Sequence, residues 1–223
     1  MYGSEKPRRM IWQMFYEIVS FVNKDDDWIT MNYGYALLSS DGKLLNDLKE
    51  DQDKKEIFSI QLYHYTASVL SEVTKMEGKT LVEVGSGRGG GLSFLTRNLK
   101  PKKAFGVDFS ENQVEFCNRR HQIEGLKYLQ GDAENLHLIK EIPEKSVDYV
   151  INVESSHCYG NIDKFFNGIN RILKDDGMFF YTDFRGSKEM KELNDKLKEH
   201  FTVVNAENIS HNVMHALKLD TER

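Results

Sequence analysis

The sequence predicts an α/β fold: a doubly wound parallel sheet preceded by an N-terminal helical lid. From Lys79 onward, short apolar runs alternate with amphipathic stretches, which is typical of parallel strands joined by right-handed helical crossovers. The first run ends in an acidic residue and a glycine-rich turn, Glu83-Val84-Gly85-Ser86-Gly87-Arg88-Gly89-Gly90-Gly91. We therefore expect two parts, a helical extension over residues 1–78 and a cofactor-binding core over residues 79–223.

The apolar patterns place the individual elements. Strands are predicted near residues 80–84, 103–108, 127–130, 147–153, 177–183 and 201–205. Helices are predicted near residues 55–76, 90–99, 111–123, 162–173 and 187–199, with a further helix starting at Ser210. Residues 7–24 carry a wide apolar stripe, which predicts a helix that either acts as a lid or lipid-facing surface or simply docks on the core.

The composition excludes several classes of protein. The 223 residues carry a formal net charge of −5, so no basic field favours nucleic acid as a partner. No apolar run approaches the length of about 20 residues that a membrane-spanning helix needs. Cys117 and Cys158 show neither metal-site nor disulfide spacing, so we expect no metal and a reducing, cytoplasmic location.

The glycine-rich turn fits more than one kind of cofactor. Gly85, Gly87 and Gly90 satisfy the dinucleotide pattern G-x-G-x-x-G, and Asp108 at the end of the second strand suits ribose hydroxyls in either case. Glu83 puts a carboxylate beside the turn, which disfavours a pyrophosphate and favours an ammonium or sulfonium ligand. A nicotinamide-dependent dehydrogenase is therefore the weaker reading.

Four motifs together resemble the S-adenosylmethionine-dependent methyltransferases with the Rossmann-like fold. They are Glu83-x-Gly85-x-Gly87-x-Gly89, Val107-Asp108-Phe109-Ser110, Gly131-Asp132-Ala133-Glu134 and Val153-Glu154-Ser155-Ser156-His157. A closer likeness is to the phthiotriolone/phenolphthiocerol dimycocerosate methyltransferases and related lipid enzymes. It is carried by Ile60-Gln61-Leu62-Tyr63-His64, Gly89-Gly90-Gly91 and Glu154-x-x-His157-Cys158-Tyr159.

The resemblance implies S-adenosylmethionine as cofactor, S-adenosylhomocysteine as product, and a set of binding residues. Glu83 would lie near the ammonium group, Asp108 would bind the ribose diol, and Phe109 would pack on the adenine. An N-terminal Asn-Tyr-Gly segment would close over the cofactor, or its tyrosines would pack on the core. The full expected set is Tyr33, Tyr35, Glu83, Gly85, Ser86, Gly87, Asp108, Phe109, Gln113, Asp132, Ala133 and Asn152.

The same resemblance implies a catalytic pair. His157 would be the general base and Asp183 would orient it, although a structural histidine that caps a strand end remains an alternative; Glu154 is a second choice of base. We expect methylation of a small, apolar, hydroxylated acceptor, with lipid-like molecules among the candidates. O-methylation is preferred over C-methylation. The alternative is a catalytically silent methyltransferase-fold subunit of a larger assembly.

The resembled sheet has seven strands in the order 3-2-1-4-5-7-6, whereas the apolar patterns indicate six. We expect the seventh strand to be missing. The resemblance implies about 50 further residues after residue 223. A further segment or a partner chain would then complete the sheet, or the sixth strand would pair directly with the fifth, since natural sheets avoid unpaired edges.

Overall fold

Five parallel strands form one sheet in the computed structural model, which describes residues 28–222. The spatial order is β3-β2-β1-β4-β5, so the chain reverses direction across the sheet between β1 and β4. The strands are β1 Thr80–Val84, β2 Lys103–Asp108, β3 Leu126–Gln130, β4 Val147–Val153 and β5 Leu173–Thr182. This is the predicted doubly wound topology, in which ligands bind where the strand order reverses.

Helices precede the sheet and cover both of its faces. They are α1 Asp51–Lys55, α2 Ile57–His64, α3 Gly90–Leu99, α4 Glu111–Arg120, α5 Ile162–Ile172, α6 Ser187–His200 and α7 Ser210–Thr221. A π-helical turn, Tyr65–Val69, continues α2, and short 3-10 segments span Ala133–Leu138 and Ser156–Cys158. The helix predicted over residues 7–24 lies outside the described residues.

The core forms two layers because successive strand residues point to opposite faces of the sheet. Leu81 and Ile151 pack with α2, α3 and α4 on one face. Val82 and Val150 pack with α5 on the other, where Phe165 and Phe166 are fully buried. The edge between the two layers, at the carboxyl ends of the strands, is left for polar groups.

The strand predicted over residues 201–205 was wrong. Residues 202–209 have no regular secondary structure, and the described sheet has five strands rather than six. Phe201 packs on Phe166 and Phe179, but Val203 and Val204 are 45% and 83% exposed. The β-branched residues supply local strand propensity, but within residues 28–222 no neighbouring strand pairs with them.

The described part of the N-terminal extension packs on the sheet core instead of standing away from it. Ile60 and Leu62 of α2 are fully buried in the same layer as β1. Helix α7 contacts the segment that precedes α1: the side chain of Asn212 donates a hydrogen bond to the carbonyl of Ala36 at 2.9 Å. The boundary at residue 78 stays a prediction, and among residues 28–222 no helix is both long and apolar enough to cross a membrane.

Candidate active site

The glycine-rich turn after β1 is tied to the neighbouring strand. The backbone N–H groups of Gly85 and Ser86 both donate to the carbonyl of Val107, at 2.8 and 3.1 Å. Gly85 has φ +76°, and a Cβ there would lie 1.9 Å from the hydroxyl of Ser155. Only glycine fits this position without displacing Ser155, and the turn delivers the N-terminus of α3 to the same edge.

A cavity opens at the carboxyl ends of β1, β2 and β4, beside this turn. Its walls include eight residues that the sequence predicted as cofactor ligands: Gly85, Ser86, Gly87, Asp108, Phe109, Gln113, Asp132 and Ala133. Parallel strands bring their carboxyl ends to one edge, so motifs far apart in sequence meet there.

Asp108 is held by main-chain donors. Its two oxygens accept the N–H groups of Gly87 at 2.8 Å and Ser110 at 2.9 Å. Burial raises the pKa of Asp108 to about 6, although both N–H groups oppose the shift. Near neutral pH its carboxylate is therefore ionised, oriented and able to accept further hydrogen bonds from the cavity.

At the start of α4, only one of the two hydrogen bonds of a capping box is present. Ser110 accepts the backbone N–H of Gln113, whereas the N–H of Ser110 donates to Asp108. The side chain of Gln113 instead lines the cavity and contacts the sulfur of Met31 at 3.7 Å. Gln113 is thereby available to a ligand.

Asp132 caps the short helical segment after β3. Its oxygens accept from the backbone N–H of Glu134 at 3.0 Å and the side chain of Asn135 at 2.8 Å. Asp132 and Ala133 both line the cavity. The Gly131-Asp132-Ala133-Glu134 motif therefore lies at the cavity wall, and the Asp132 carboxylate there already accepts hydrogen bonds from Glu134 and Asn135.

Four predicted cofactor residues do not line the cavity: Tyr33, Tyr35, Asn152 and Glu83, the last of which is described below. Tyr35 is 5% exposed and stacks on Tyr65 in the core, at 4.2 Å between ring centroids. Tyr33 is 52% exposed and contacts Phe184. Asn152 is fully buried and donates to the carbonyl of Val84 and the hydroxyl of Tyr159. Tyr35 thus packs on the core, which was the alternative to closing over the cofactor. Asn152 links β4 to β1 through its hydrogen bond to Val84.

A segment that we name the strap, residues 28–33, supplies a wall that sequence reasoning missed. Ile29, Thr30 and Met31 line the cavity, whereas Tyr33 lies beyond it. The chain turns at Gly34, with φ +83° and its N–H donated to the side chain of Asn32. The Asn-x-Gly turn was the available signal that the residues before it and after it face different surroundings.

The strap is anchored along its length. The N–H of Gly90 donates to the carbonyl of Ile29, and the Arg88 side chain donates to the carbonyl of Trp28. Glu56 accepts from the N–H of Ile29 and from the hydroxyl of Thr30. These contacts fix the strap against the glycine-rich turn and α2.

Glu83 lies behind the cavity wall and is fully buried. The hydroxyl of Tyr63 donates to its Oε1 at 2.7 Å, while its Oε2 has no hydrogen-bond partner among the described residues. Burial raises the pKa of Glu83 to about 8. Tyr63 itself lines the cavity, although it was not among the cofactor residues that the sequence predicted.

His157 and Asp183 form the predicted pair. Nδ1 of His157 lies 2.9 Å from Oδ1 of Asp183, whose Oδ2 accepts the backbone N–H of His157 at 3.0 Å. Arg185 and the hydroxyl of Ser156 also contact this carboxylate. Burial is the largest single influence and lowers the pKa of His157, but the hydrogen bonds and charges of Asp183 and Cys158 together outweigh it and raise the pKa to about 9.

The pair lies next to the cavity, not in its wall. Ser155 and Cys158 line the cavity, whereas Ser156 and His157 between them do not. The His157 side chain is 10% exposed. Burial by itself would raise the pKa of Asp183, yet His157 and Arg185 hold it below its usual value. The resting pair is therefore a carboxylate with an imidazolium.

Glu154 reaches the cavity from the end of β4. It is 9% exposed and has φ +45°, a left-handed conformation that is costly for a residue with a side chain. Its Oε2 accepts the N–H of Tyr33 at 2.8 Å, and burial raises its pKa to about 7. Strain of this kind is characteristic of functional positions.

The cavity edge carries the polar groups that a nucleoside cofactor with a charged tail requires. Within residues 28–222, buried side-chain oxygens of five residues have no hydrogen-bond partner. Ser86 Oγ and Gln113 Oε1 belong to residues of the cavity wall, Glu83 Oε2 and Asn152 Oδ1 belong to residues next to wall residues in the sequence, and Ser68 Oγ lies in the π-helical turn. Such orphans are rare in native proteins unless a ligand or water satisfies them. The ring of Phe109, 41% exposed in the cavity wall, offers a stacking surface. The fold and site define a nucleoside-cofactor-binding α/β protein.

Comparison with known proteins gives the family. Residues 82–181 match the methyltransferase domain family. The chain is 42% identical over 169 residues to a fatty-acid O-methyltransferase of Mycolicibacterium smegmatis, covering 76% of this chain and 57% of that protein. It is 34% identical over 190 residues to a phthiotriol/phenolphthiotriol dimycocerosates methyltransferase of Mycobacterium leprae, covering 85% and 66%. The chain belongs to the S-adenosylmethionine-dependent methyltransferases.

A solved structure supports the same fold. Geranyl diphosphate C-methyltransferase from Streptomyces coelicolor, crystallised with S-adenosylhomocysteine, superposes with a TM-score of 0.64 at 18% identity, covering 93% of this chain and 87% of that one. Membership of the S-adenosylmethionine-dependent methyltransferases gives the cofactor, S-adenosylmethionine, as predicted. Within residues 28–222, no group of His, Cys, Asp and Glu side chains is arranged to hold a metal ion. The chain spans about three fifths of the length of the two mycobacterial relatives.

Proposed function

We propose that this protein transfers a methyl group from S-adenosylmethionine to an oxygen atom of an apolar, lipid-like acceptor that carries a hydroxyl group. The observation that carries the proposal is the 2.9 Å contact between His157 Nδ1 and Asp183 Oδ1 beside the cavity. The sulfonium supplies an activated methyl group. His157 takes the hydroxyl proton through Nε2, while Asp183 holds the imidazole in place and stabilises its charged form.

Two exposed aromatic rings next to the pair support an apolar acceptor. Phe184 lies 4.5 Å from the ring of His157 and 5.3 Å from that of Tyr33, measured between centroids. Phe184 and Tyr33 are 41% and 52% exposed. Large apolar side chains clustered at a site entrance favour an acceptor with an apolar body.

A carboxylate acceptor is the second candidate. The raised pKa of His157, about 9, makes it an imidazolium at neutral pH. A cation at this position would bind an acceptor carboxylate, which needs no base before it attacks a methyl group. The fatty-acid O-methyltransferase among the relatives carries a name that fits this reading.

The pH dependence of kcat/KM at saturating cofactor separates the two. With a hydroxyl acceptor, His157 must lose its proton, so kcat/KM rises about tenfold per pH unit and levels off above about 9. With a carboxylate acceptor, kcat/KM is flat near neutrality and falls above about 9. A long-chain alcohol and the matching fatty acid provide the two substrates.

Mutation completes the test. His157→Ala should lower turnover by about 10²–10⁴ while cofactor affinity stays nearly intact, and Asp183→Asn should have a smaller effect of the same kind. His211→Ala, at an exposed histidine of α7, is the control and should have no effect. Full turnover in His157→Ala would remove both proposals. Cofactor binding without turnover of any acceptor would favour the silent-subunit alternative.

A further inference from the structure

Tyr63 lines the inner wall of the cavity and forms a buried pair with Glu83, which lies directly behind that wall. Tyr63 is 5% exposed and Glu83 fully buried, and the hydroxyl of the one lies 2.7 Å from Oε1 of the other. The pair joins α2 to the carboxyl end of β1, immediately before the glycine-rich turn. Its second oxygen, Oε2, has no hydrogen-bond partner among the described residues.

The glycine-rich segment makes room for the tyrosine ring. A Cβ at Gly91, in the first turn of α3, would lie 2.0 to 2.2 Å from three ring atoms of Tyr63. The absence of a side chain at Gly91 is therefore what lets the ring lie flat on α3 and reach Glu83. This gives the third glycine of the Gly89-Gly90-Gly91 run a role that phosphate or ribose binding does not explain.

We propose that Tyr63 is a positioning residue for the cofactor: its hydroxyl holds Oε1 of Glu83, so that Oε2 is directed to the ammonium group of S-adenosylmethionine, which supplies the missing partner. A carboxylate held at one oxygen by a tyrosine keeps a single orientation. The inference concerns cofactor binding alone and does not depend on the acceptor.

The electrostatic surroundings of Glu83 make the role measurable. Asp108 of β2 raises its pKa and the N–H of Leu92 in α3 lowers it, and the titratable side chains of Cys117 and Tyr128 also face it. Burial is the largest cause, and the resulting pKa is about 8. The Tyr63 hydroxyl favours the ionised form, so its removal must raise the pKa of Glu83 further.

Isothermal titration with S-adenosylhomocysteine between pH 6.5 and 9 tests the proposal on the whole chain. If Tyr63→Phe raises the pKa of Glu83 by one unit, the variant binds about tenfold more weakly than wild type at pH 6.5 and about twofold more weakly at pH 9. In a Glu83→Gln background, affinity should lose this pH dependence and Tyr63→Phe should add less than about threefold.

Tyr65→Phe is the matched control, because Tyr65 is equally buried and donates to a carboxylate, Glu207, away from the cavity. It should leave the affinity unchanged at every pH. Gly91→Ala, which displaces the Tyr63 ring, should reproduce the pH-dependent loss. A Tyr63→Phe defect of the same size at pH 6.5 and pH 9, or none at all, would overturn the proposal, and so would unchanged pH dependence in Glu83→Gln. Thermal unfolding curves of each variant establish that it is folded.

Discussion

The carboxylate of Glu154 accepts a hydrogen bond from the backbone N–H of Tyr33 at 2.8 Å, across 121 residues of sequence. The contact joins the carboxyl end of β4 to the end of the strap. Because the donor is a main-chain group, the tyrosine side chain is not needed to hold the strap. The ring is then left exposed, next to Phe184.

Glu154→Ala should loosen the strap, since it removes the only carboxylate that the described structure places on Tyr33. We expect faster hydrogen exchange at the Tyr33 amide and weaker cofactor binding, by roughly three- to tenfold for one lost charged hydrogen bond at a partly exposed position. Glu154→Gln keeps an acceptor oxygen and should stay near wild type. Equal exchange at Tyr33 in all three proteins would contradict this account.

Asp108→Ala should weaken binding of both S-adenosylmethionine and its demethylated product about ten- to a hundredfold in calorimetry. The change removes the carboxylate expected to hold the ribose diol and frees the N–H groups of Gly87 and Ser110. Asp108→Asn retains one acceptor and should lose less. If Asp108→Ala bound with wild-type affinity, Asp108 would have no part in the cofactor site.

Protonated His157 should stabilise the fold at low pH. Its pKa is raised from 6.5 to about 9 in the folded protein. The contribution is therefore complete below about pH 6.5 and is lost as the pH rises through about 9. We expect His157→Asn to lose about 1–3 kcal/mol more unfolding free energy at pH 6 than at pH 10.

Urea unfolding of wild type and His157→Asn at the two pH values measures this difference. Glu83 and Glu154 titrate in the same window, with pKa values of about 8 and 7, so only the difference between the two proteins isolates His157. A pH-independent difference would show that His157 and Asp183 are not coupled.

Gly85→Ala should destabilise the protein more than Gly78→Ala does. Both glycines have φ near +77°, so each alanine incurs the left-handed penalty of roughly 1–2 kcal/mol. At Gly78 a Cβ meets nothing within 4 Å, whereas at Gly85 it overlaps the Ser155 hydroxyl. We expect a further 1–3 kcal/mol of overpacking at Gly85 in thermal or urea unfolding. Equal losses would mean that Ser155 moves aside freely.

The sequence by itself determined five alternating parallel strands and helices and much of the cavity wall. Strand ends followed by acids or glycines must meet at one edge of a parallel sheet, whatever the details of packing. For that reason Gly85, Asp108 and Asp132 could be placed at the cavity from strand position, whereas it was the family resemblance that placed His157 beside Asp183.

Tertiary structure alone decided the remaining features. Residues 201–205 have strand-like composition but no strand to pair with, and pairing depends on neighbours that local propensity does not contain. The strap lines the cavity through Ile29 to Met31 because Gly34 turns the chain, so that Tyr35 enters the core. Tyr63 reaches Glu83 because Gly91, 28 positions later, leaves space for its ring, and such long-range packing becomes visible only when the helices are docked on the sheet.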